Sequence, residues 1–290
     1  MRRLSAIPFL LTSPANVLTG VFIVIPAIYV LVLSFSASSY GTAPTFVGLA
    51  NYATLLSDPY FWRASWNTFI VVNAVVYIEL ALALGLTVLL MSTRHFRRTI
   101  ITLLLLPYAV SEVVGVLMVK FMFDPGVGMA SRALTSLGLP EIAWTTQPNQ
   151  ALALVILLSV WHHVPFTFLI VYTARLSLPG ELYEAARVDG ANAWRRFTNV
   201  TFPLLLPAVL IALLFRYIFA FRIFVEVWLL TRGGPARQTE VLAVYLYKSA
   251  FSYDDFGLAA ATAWAMVILS LLIATPYLRL MYKRMFVDAR

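Results

Sequence analysis

The chain has 290 residues, of which 61% are apolar and only 12% charged, with a net charge of +8 and a mean hydropathy of +0.85. Soluble domains carry roughly 45–50% apolar and about 25% charged residues, so no globular core could hide this much apolar surface, and the chain reads as an all-α polytopic membrane protein. The absence of cysteine excludes disulfide scaffolds, thiolate metal sites and cysteine nucleophiles, and no glycine precedes a lysine, which excludes a Walker A phosphate loop and a conventional ATPase on this chain.

A bilayer core about 30 Å thick needs roughly 20 apolar helical residues. Six stretches meet that length, at about 14–36, 65–91, 99–123, 150–174, 203–231 and 257–282. The first starts at Ser13-Pro14, a helix-start signal, just after Arg2-Arg3. It exceeds the roughly 7–15 residues of a signal-peptide core and lacks a small-residue cleavage site, so it is read as a retained span. In the third span Pro107 frees a backbone carbonyl and predicts a kink.

Charge in the connections predicts orientation. The N-terminus, the second-to-third and fourth-to-fifth connections and the C-terminus together carry thirteen Lys and Arg, against five on the other side. The positive-inside rule then places both termini in the cytoplasm, and the basic balance becomes a topology signal instead of a nucleic-acid footprint. The opposite connections, Ser38–Ala64, Asp124–Asn149 and Arg232–Phe256, are long, with turn signals at Asp124-Pro125-Gly126 and Gly233-Gly234-Pro235. They suit either plain solvated joins or a docking surface for a soluble partner. The chain divides into 1–64 (tail, first span and external loop), a core transmembrane domain at 65–282, and a short cytoplasmic tail at 283–290.

The join between the fourth and fifth spans is nearly thirty residues long, where about two to eight would suffice. Within 177–203, Pro179 suits a first helical turn, and Glu181 and Glu184 sit where the helix dipole favours acid. Leu182, Ala185 and Ala186 share a face, Gly190 ends the helix, and a second short helix is predicted through Trp194 and Phe197 to Pro203. The small Ala185-Ala186 pair permits close approach of another surface, and Glu184 offers a charge to pair with. An amphipathic helix lying on lipid headgroups is the alternative that the residues alone leave open.

Glu184-Ala185-Ala186, three residues, Gly190, nine residues and then Val200-Thr201-Phe202-Pro203 resembles the EAA loop of binding-protein-dependent ABC importer permeases. Val200 and Phe202 stand where that pattern has Ile and Leu. With Asp189 and Ala191, the longer form Glu-Ala-Ala-x-x-Asp-Gly-Ala is similar to the sugar-importing branch, of the maltose or glycerol-phosphate type. So are Leu106-Pro107-Tyr108-Ala109-Val110-Ser111-Glu112, Trp161 with Pro165-Phe166, and Leu230–Pro235 followed by Thr239-Glu240. The resemblance implies a type I ABC importer permease fold with six transmembrane helices in a bacterial or archaeal inner membrane. It implies a second homologous permease, two cytoplasmic ABC ATPases that hold ATP and Mg, and an extracytoplasmic solute-binding protein. No cofactor is expected on this chain. Glu184, Ala185, Ala186, Asp189, Gly190 and Ala191 would form the coupling helix that seats in an ATPase groove, Glu184 supplying the charged contact, the alanines the close contact and Gly190 the bend.

Ionisable residues at bilayer depth cost a few kcal/mol and by default face protein or a water-filled path. Asn73, Tyr77, Tyr108, Glu112, Trp161, Arg222 and Glu226 are the candidate pathway residues, since sugar hydroxyls suit carboxylates and guanidinium and pyranose faces suit aromatic rings. Arg222 and Glu226, at i and i+4, are expected to pair on one helix face. Arg216 and Arg222 are compatible with an anionic sugar-like solute. Glu79, beside Ala81, Ala83 and Gly85, is expected at a helix–helix contact, Lys120 to extend outward to the interface, and Tyr40, Trp62, Trp144 and Tyr282 to form interfacial belts. His162 and His163 are adjacent and lack the i, i+4 spacing of a helical metal pair. A secondary transporter driven by an ion gradient is the alternative function, although no internal repeat is evident and the long loop would have no role.

Overall fold

The computed structural model describes residues 7–93 and 95–282. Arg2, Arg3, Arg94 and the tail 283–290, all used in the topology and domain readings, lie outside the described residues. Among the described residues, five helices are long and apolar enough to cross a membrane: Leu11–Ser34, Pro59–Ser92, Pro148–Leu176, Ala193–Ala220 and Phe256–Leu280. A sixth crossing exists if the bent pair Arg97–Ala109 and Glu112–Met122 is one span.

The chain forms two compact units. The first comprises residues 1–62 and 245–267. Its first span joins α1 (Ile7–Thr19) to α2 (Ile25–Ser34) through a π-helical turn at Gly20–Val24. That turn has a physical cause. Pro26 has no N–H and its ring would collide with the carbonyl four residues back, so the Ile25 N–H reaches Gly20 O instead and the helix widens by one residue. Almost no side chain of this span is buried within the chain, so it offers its apolar surface outward. A two-stranded hairpin follows, β1 (Ser36–Ala37) antiparallel to β2 (Thr45–Phe46) with Ser36 opposite Phe46, and then α3 (Ala50–Ser57). Asn51 Nδ2 donates to Ser34 O and Ser36 O, both at 2.9 Å, and fixes the exit of α2. The remaining pieces are the start of α4 (Pro59–Ser92), most of α13 (Leu242–Phe251) and the start of α14 (Phe256–Tyr282). Gly257 lets α14 begin against the hairpin: a Cβ there would lie 2.2 Å from Ser36 O.

The second unit, residues 63–244 and 268–290, holds the main core. Its elements are the rest of α4, α5 (Arg97–Ala109), α6 (Glu112–Met122), α7 (Met129–Ser136), α8 (Pro148–Leu176), α9 (Glu181–Val188), α10 (Ala193–Arg196), α11 (Phe202–Ala220), α12 (Val225–Leu230) and the end of α14. Neighbouring faces of α4 serve two clusters. Val72 and Val76 pack with Phe168 and Val171 of α8 and Val209 and Leu213 of α11. Val71 and Val75 pack with Leu154 and Val155 of α8 and with Ile223 and Val227.

Several expectations are corrected. The third span does more than kink at Pro107. Helix α5 runs through the proline and ends at Ala109, Val110 and Ser111 are extended, and α6 leaves at 96°. The fifth span is also broken, between Ala220 and Val225, so Arg222 and Glu226 do not share a helix face. Ion pairs among the described residues include Arg216–Glu79, Arg237–Glu240 and Arg187–Glu184, and no ion pair joins Arg222 to Glu226. The second helix of the long loop is not separate: α10, a π-helical turn at Phe197–Thr201 and α11 form one continuous rod. Here too a proline follows, Pro203, and Phe202 N–H bonds Phe197 O. Lys120 turns inward and donates to Leu229 O at 2.8 Å, satisfying a carbonyl near the end of α12. Trp144 is buried and donates to Phe123 O at 2.6 Å, whereas Tyr40, Trp62 and Tyr282 are exposed.

Candidate functional site

The two broken spans lie beside a cavity of about 720 Å³, wholly within the second unit. The breaks bring it both acids, Glu112 at the first residue of α6 and Glu226 in the first turn of α12. Helix α8 contributes Ser159, His162, His163 and Phe166, and α11 contributes Arg216 and Phe219. Tyr108 from α5 and Arg222 and Phe224 from the fifth-span break complete the wall. Aromatic rings flank the polar groups, with Phe166 edge-on to Phe219 at 6.0 Å between centroids.

The polar groups are held unequally. Arg216 and Glu79 are buried and joined by two bonds, Nε to Oε2 at 2.5 Å and Nη2 to Oε1 at 2.7 Å, and Thr167 Oγ1 donates to Oε2 at 3.2 Å. Glu79 thus has a helix–helix position, as expected, but its partner is a charge. Glu226 Oε1 accepts from Ser159 Oγ at 2.8 Å, and the Glu112 carboxyl stands within side-chain hydrogen-bond reach of Glu226. His163 Nδ1 lies 3.0 Å from Ser159 O. Glu112 is half-buried and within electrostatic reach of Glu226. No group of three or more metal-ligating side chains occurs among the described residues.

Of the seven pathway candidates, Tyr108, Glu112, Arg222 and Glu226 line the cavity. Trp161 does not, and its ring packs against Gly115 of α6. Asn73 and Tyr77 belong to another cluster, where Tyr217 donates to Asn73 Oδ1 at 2.8 Å, Tyr277 donates to Tyr217 at 3.1 Å, and the Tyr77 and Tyr277 hydroxyls are 2.6 Å apart. That chain of hydroxyls ties α4, α11 and α14 together. Ser159, His163 and Phe166 are additional lining residues. Their spacing of i, i+4 and i+7 along an apolar span marks one helix face and is a readable signal.

The long loop forms a second candidate site. Helix α9 ends in a Schellman arrangement: Ala191 N–H donates to Ala186 O at 2.9 Å, Gly190 N–H to Arg187 O at 3.1 Å, and Gly190 takes φ +73°. Asn192 caps α10 by accepting from Arg195 N–H at 2.9 Å. Tyr183 anchors the inner face, donating to Thr201 Oγ1 at 3.2 Å with the Arg175 guanidinium 3.8 Å above its ring. Glu184, Ala185, Asp189 and Gly190 are consequently exposed, and Ala186 and Ala191 half-exposed. Val188 and Trp194, 88% and 70% exposed, add apolar surface to the projection.

Residues 91–286 match the family described as binding-protein-dependent transport system inner membrane component. The chain is 34% identical over 273 residues to the sulfoquinovosyl glycerol transport system permease protein SmoG of Agrobacterium fabrum, covering 93% of this chain and 89% of that one. It is 35% identical over 273 residues to the sn-glycerol-3-phosphate transport system permease protein UgpA of Yersinia pestis, covering 93% and 90%. Its fold is similar to a chain of a bacterial alginate ABC transporter solved with an alginate pentasaccharide-bound periplasmic protein, with a TM-score of 0.84 at 22% identity over 96% of this chain and 94% of that one.

Proposed function

This chain belongs to the binding-protein-dependent transport system inner membrane component family, and on that premise we propose that it is the permease subunit of an ATP-driven importer of a sugar or sugar-like solute. The fold is that of a type I ABC importer permease, a pathway-forming membrane subunit. The chain performs no covalent chemistry. Residues 65–282 form the transmembrane core, both termini and the loop 177–203 lie in the cytoplasm, and the membrane is the inner membrane of a bacterium or archaeon. A second, homologous permease completes the pathway, two ABC ATPases bind ATP and Mg below it, and a solute-binding protein delivers the solute from above. The named relatives, one for a glycoside and one for glycerol phosphate, support the solute class.

The observation that carries the reading is the build of the loop. A helix resting on lipid headgroups would present one apolar face to the membrane. Instead, α9 is anchored inward by Tyr183, sharply capped at Gly190 and joined through α10 to the rod of the fifth span. Glu184 and Ala185 face outward, and a push on them has a rigid path into α11. ATPase closure would then move the helices as bodies, opening the pathway alternately to the two sides.

The test is affinity capture of the chain from its native membrane with identification of what accompanies it, for wild type and Glu184→Arg. An ATPase, a second permease and a binding protein are expected with wild type, and the ATPase alone should be lost in the variant. Wild type captured without any ATPase would overturn the reading, and an ion-coupled transporter would replace it.

A further inference from the structure

Among the described residues two π-helical turns occur, Gly20–Val24 and Phe197–Thr201, and each ends two residues before a proline. In both, the amide before the proline reaches five residues back, Ile25 N–H to Gly20 O and Phe202 N–H to Phe197 O. The backbone device is the same, but its setting differs. No residue of Gly20–Val24 is buried, whereas Thr201 is 5% exposed and engages another helix.

Thr201 uses its hydroxyl twice. Oγ1 donates to Arg196 O, five residues back, at 3.3 Å and accepts from the Tyr183 hydroxyl of α9 at 3.2 Å. A threonine in a regular helix reaches the carbonyl three or four residues back, so the bond to Arg196 O belongs to the widened turn. Donating there leaves an oxygen lone pair for Tyr183. The widened turn also sets an angle. An α-helix advances about 100° per residue, so without the extra residue α10 would be turned about the α11 axis by roughly that amount. The short link Asp189–Asn192 would carry α9 with it, and Tyr183 would leave Thr201. Phe197, inside the turn, packs its ring against Trp194 of α10 and Phe202 of α11, with centroids 5.9 and 6.1 Å apart, which stiffens the joint.

We propose that Pro203, Thr201 and Tyr183 are positioning residues of the coupling joint. The proline enforces the π turn, the turn sets the rotational phase of α9 on the rod, and the Tyr183–Thr201–Arg196 bonds hold that phase, so that motion at Glu184 is delivered to α11. The three act through α9 and need no contact with the ATPase. This rests on the reading of the loop as the joint to an ATPase and specifies what makes the joint stiff.

The experiment uses the complex retained from native membrane, in lipid nanodiscs. Phe219→Cys places a single thiol on the cavity wall of a chain that has no cysteine of its own. Its modification by a water-soluble maleimide is timed without nucleotide and with Mg-ATP and vanadate, and ATP hydrolysis is measured alongside. In the Phe219→Cys background the nucleotide should change the modification rate. Adding Thr201→Val, Tyr183→Phe or Pro203→Ala should abolish that response while the ATPase stays bound and continues to hydrolyse ATP. Thr201→Ser, which keeps the hydroxyl, should respond like the background. The amides of α9 should exchange hydrogen about fivefold faster in Thr201→Val and Tyr183→Phe, the effect of one lost hydrogen bond. Tyr183→Phe removes one oxygen at a half-buried position and stands in should Thr201→Val fail to assemble. An undiminished response in Thr201→Val and Tyr183→Phe, a lost response in Thr201→Ser, or loss of the ATPase from Tyr183→Phe would each overturn the proposal. A background-like response in Pro203→Ala alone would overturn the proline's part in it. If the background holds the ATPase but shows no nucleotide response, transmission through this joint falls; if wild type holds no ATPase, the importer reading itself falls.

Discussion

Two ion pairs in this chain use the same chemistry in opposite settings. Arg216–Glu79 joins α11 to α4, uses both carboxylate oxygens at 2.5 and 2.7 Å, and leaves the two side chains 4% and 0% exposed. Arg187–Glu184 spans one turn of α9 at 3.9 Å, with side chains 60% and 73% exposed. Water screens the second pair and makes it nearly worthless as a bond, on the order of 0–1 kcal/mol. Glu184 therefore gives up little in leaving Arg187 for another surface. Glu79 has no such freedom, because any separation would leave two charges in an apolar interior. The same contrast separates the locked Arg216–Glu79 pair of the span core from the projecting loop, whose Glu184 remains available.

The most damaging variant should be Glu79→Leu. It leaves Arg216 buried beside Thr167 with no carboxylate, a loss of about 3–5 kcal/mol. The measurement is thermal unfolding in nanodiscs, together with the yield of folded chain. Replacing both partners, Glu79→Leu with Arg216→Met, should recover most of the loss, because an apolar pair of similar volume has no charge to desolvate. If the single variant unfolds like wild type, the buried pair is not a lock and the contrast with Arg187–Glu184 disappears.

The same division separates what is legible in the sequence from what is not. The loop can be read because its determinants are local: acids in the first turn, a glycine at the end of α9 and a family motif within twenty residues. The spans can be read from hydropathy, which averages over a length long enough to cross the bilayer. That averaging conceals the breaks at Val110-Ser111 and 221–224, which interrupt the helix for only a few residues. Glu79 and Arg216 lie 137 positions apart, so no periodicity connects them, and the small residues near Glu79 indicate packing without naming the partner. Lys120 and Trp144 mislead for a related reason. Both are amphipathic side chains normally drawn to the interface, and each instead satisfies a backbone carbonyl, of Leu229 and Phe123, whose position only the tertiary fold determines.

A smaller effect is expected at the end of α9. Gly190 holds φ +73°, a conformation that costs an L-residue with a Cβ about 1–2 kcal/mol. Nothing lies within 4 Å of a Cβ built there, so Gly190→Ala tests the backbone alone. The expected result is roughly tenfold faster hydrogen exchange at the Ala191 amide, which donates to Ala186 O, with an unchanged global unfolding midpoint. A fall in the global midpoint as large as that of Glu79→Leu would mean that the loop is part of the cooperative core.

The smallest effect should come from Arg187→Ala. At 3.9 Å and with both partners largely in water, its removal should change stability by less than about 0.5 kcal/mol, below the scatter of most unfolding measurements. Association with the ATPase is the more informative readout. If Glu184 is the contact and Arg187 only its resting neighbour, Arg187→Ala should leave ATPase capture intact while Glu184→Arg abolishes it. Equal loss in both variants would mean that the pair acts as a unit, holding Glu184 in one orientation. The exposed pair would then be no freer than the buried one, its small free energy notwithstanding, and availability would no longer distinguish the loop from the core.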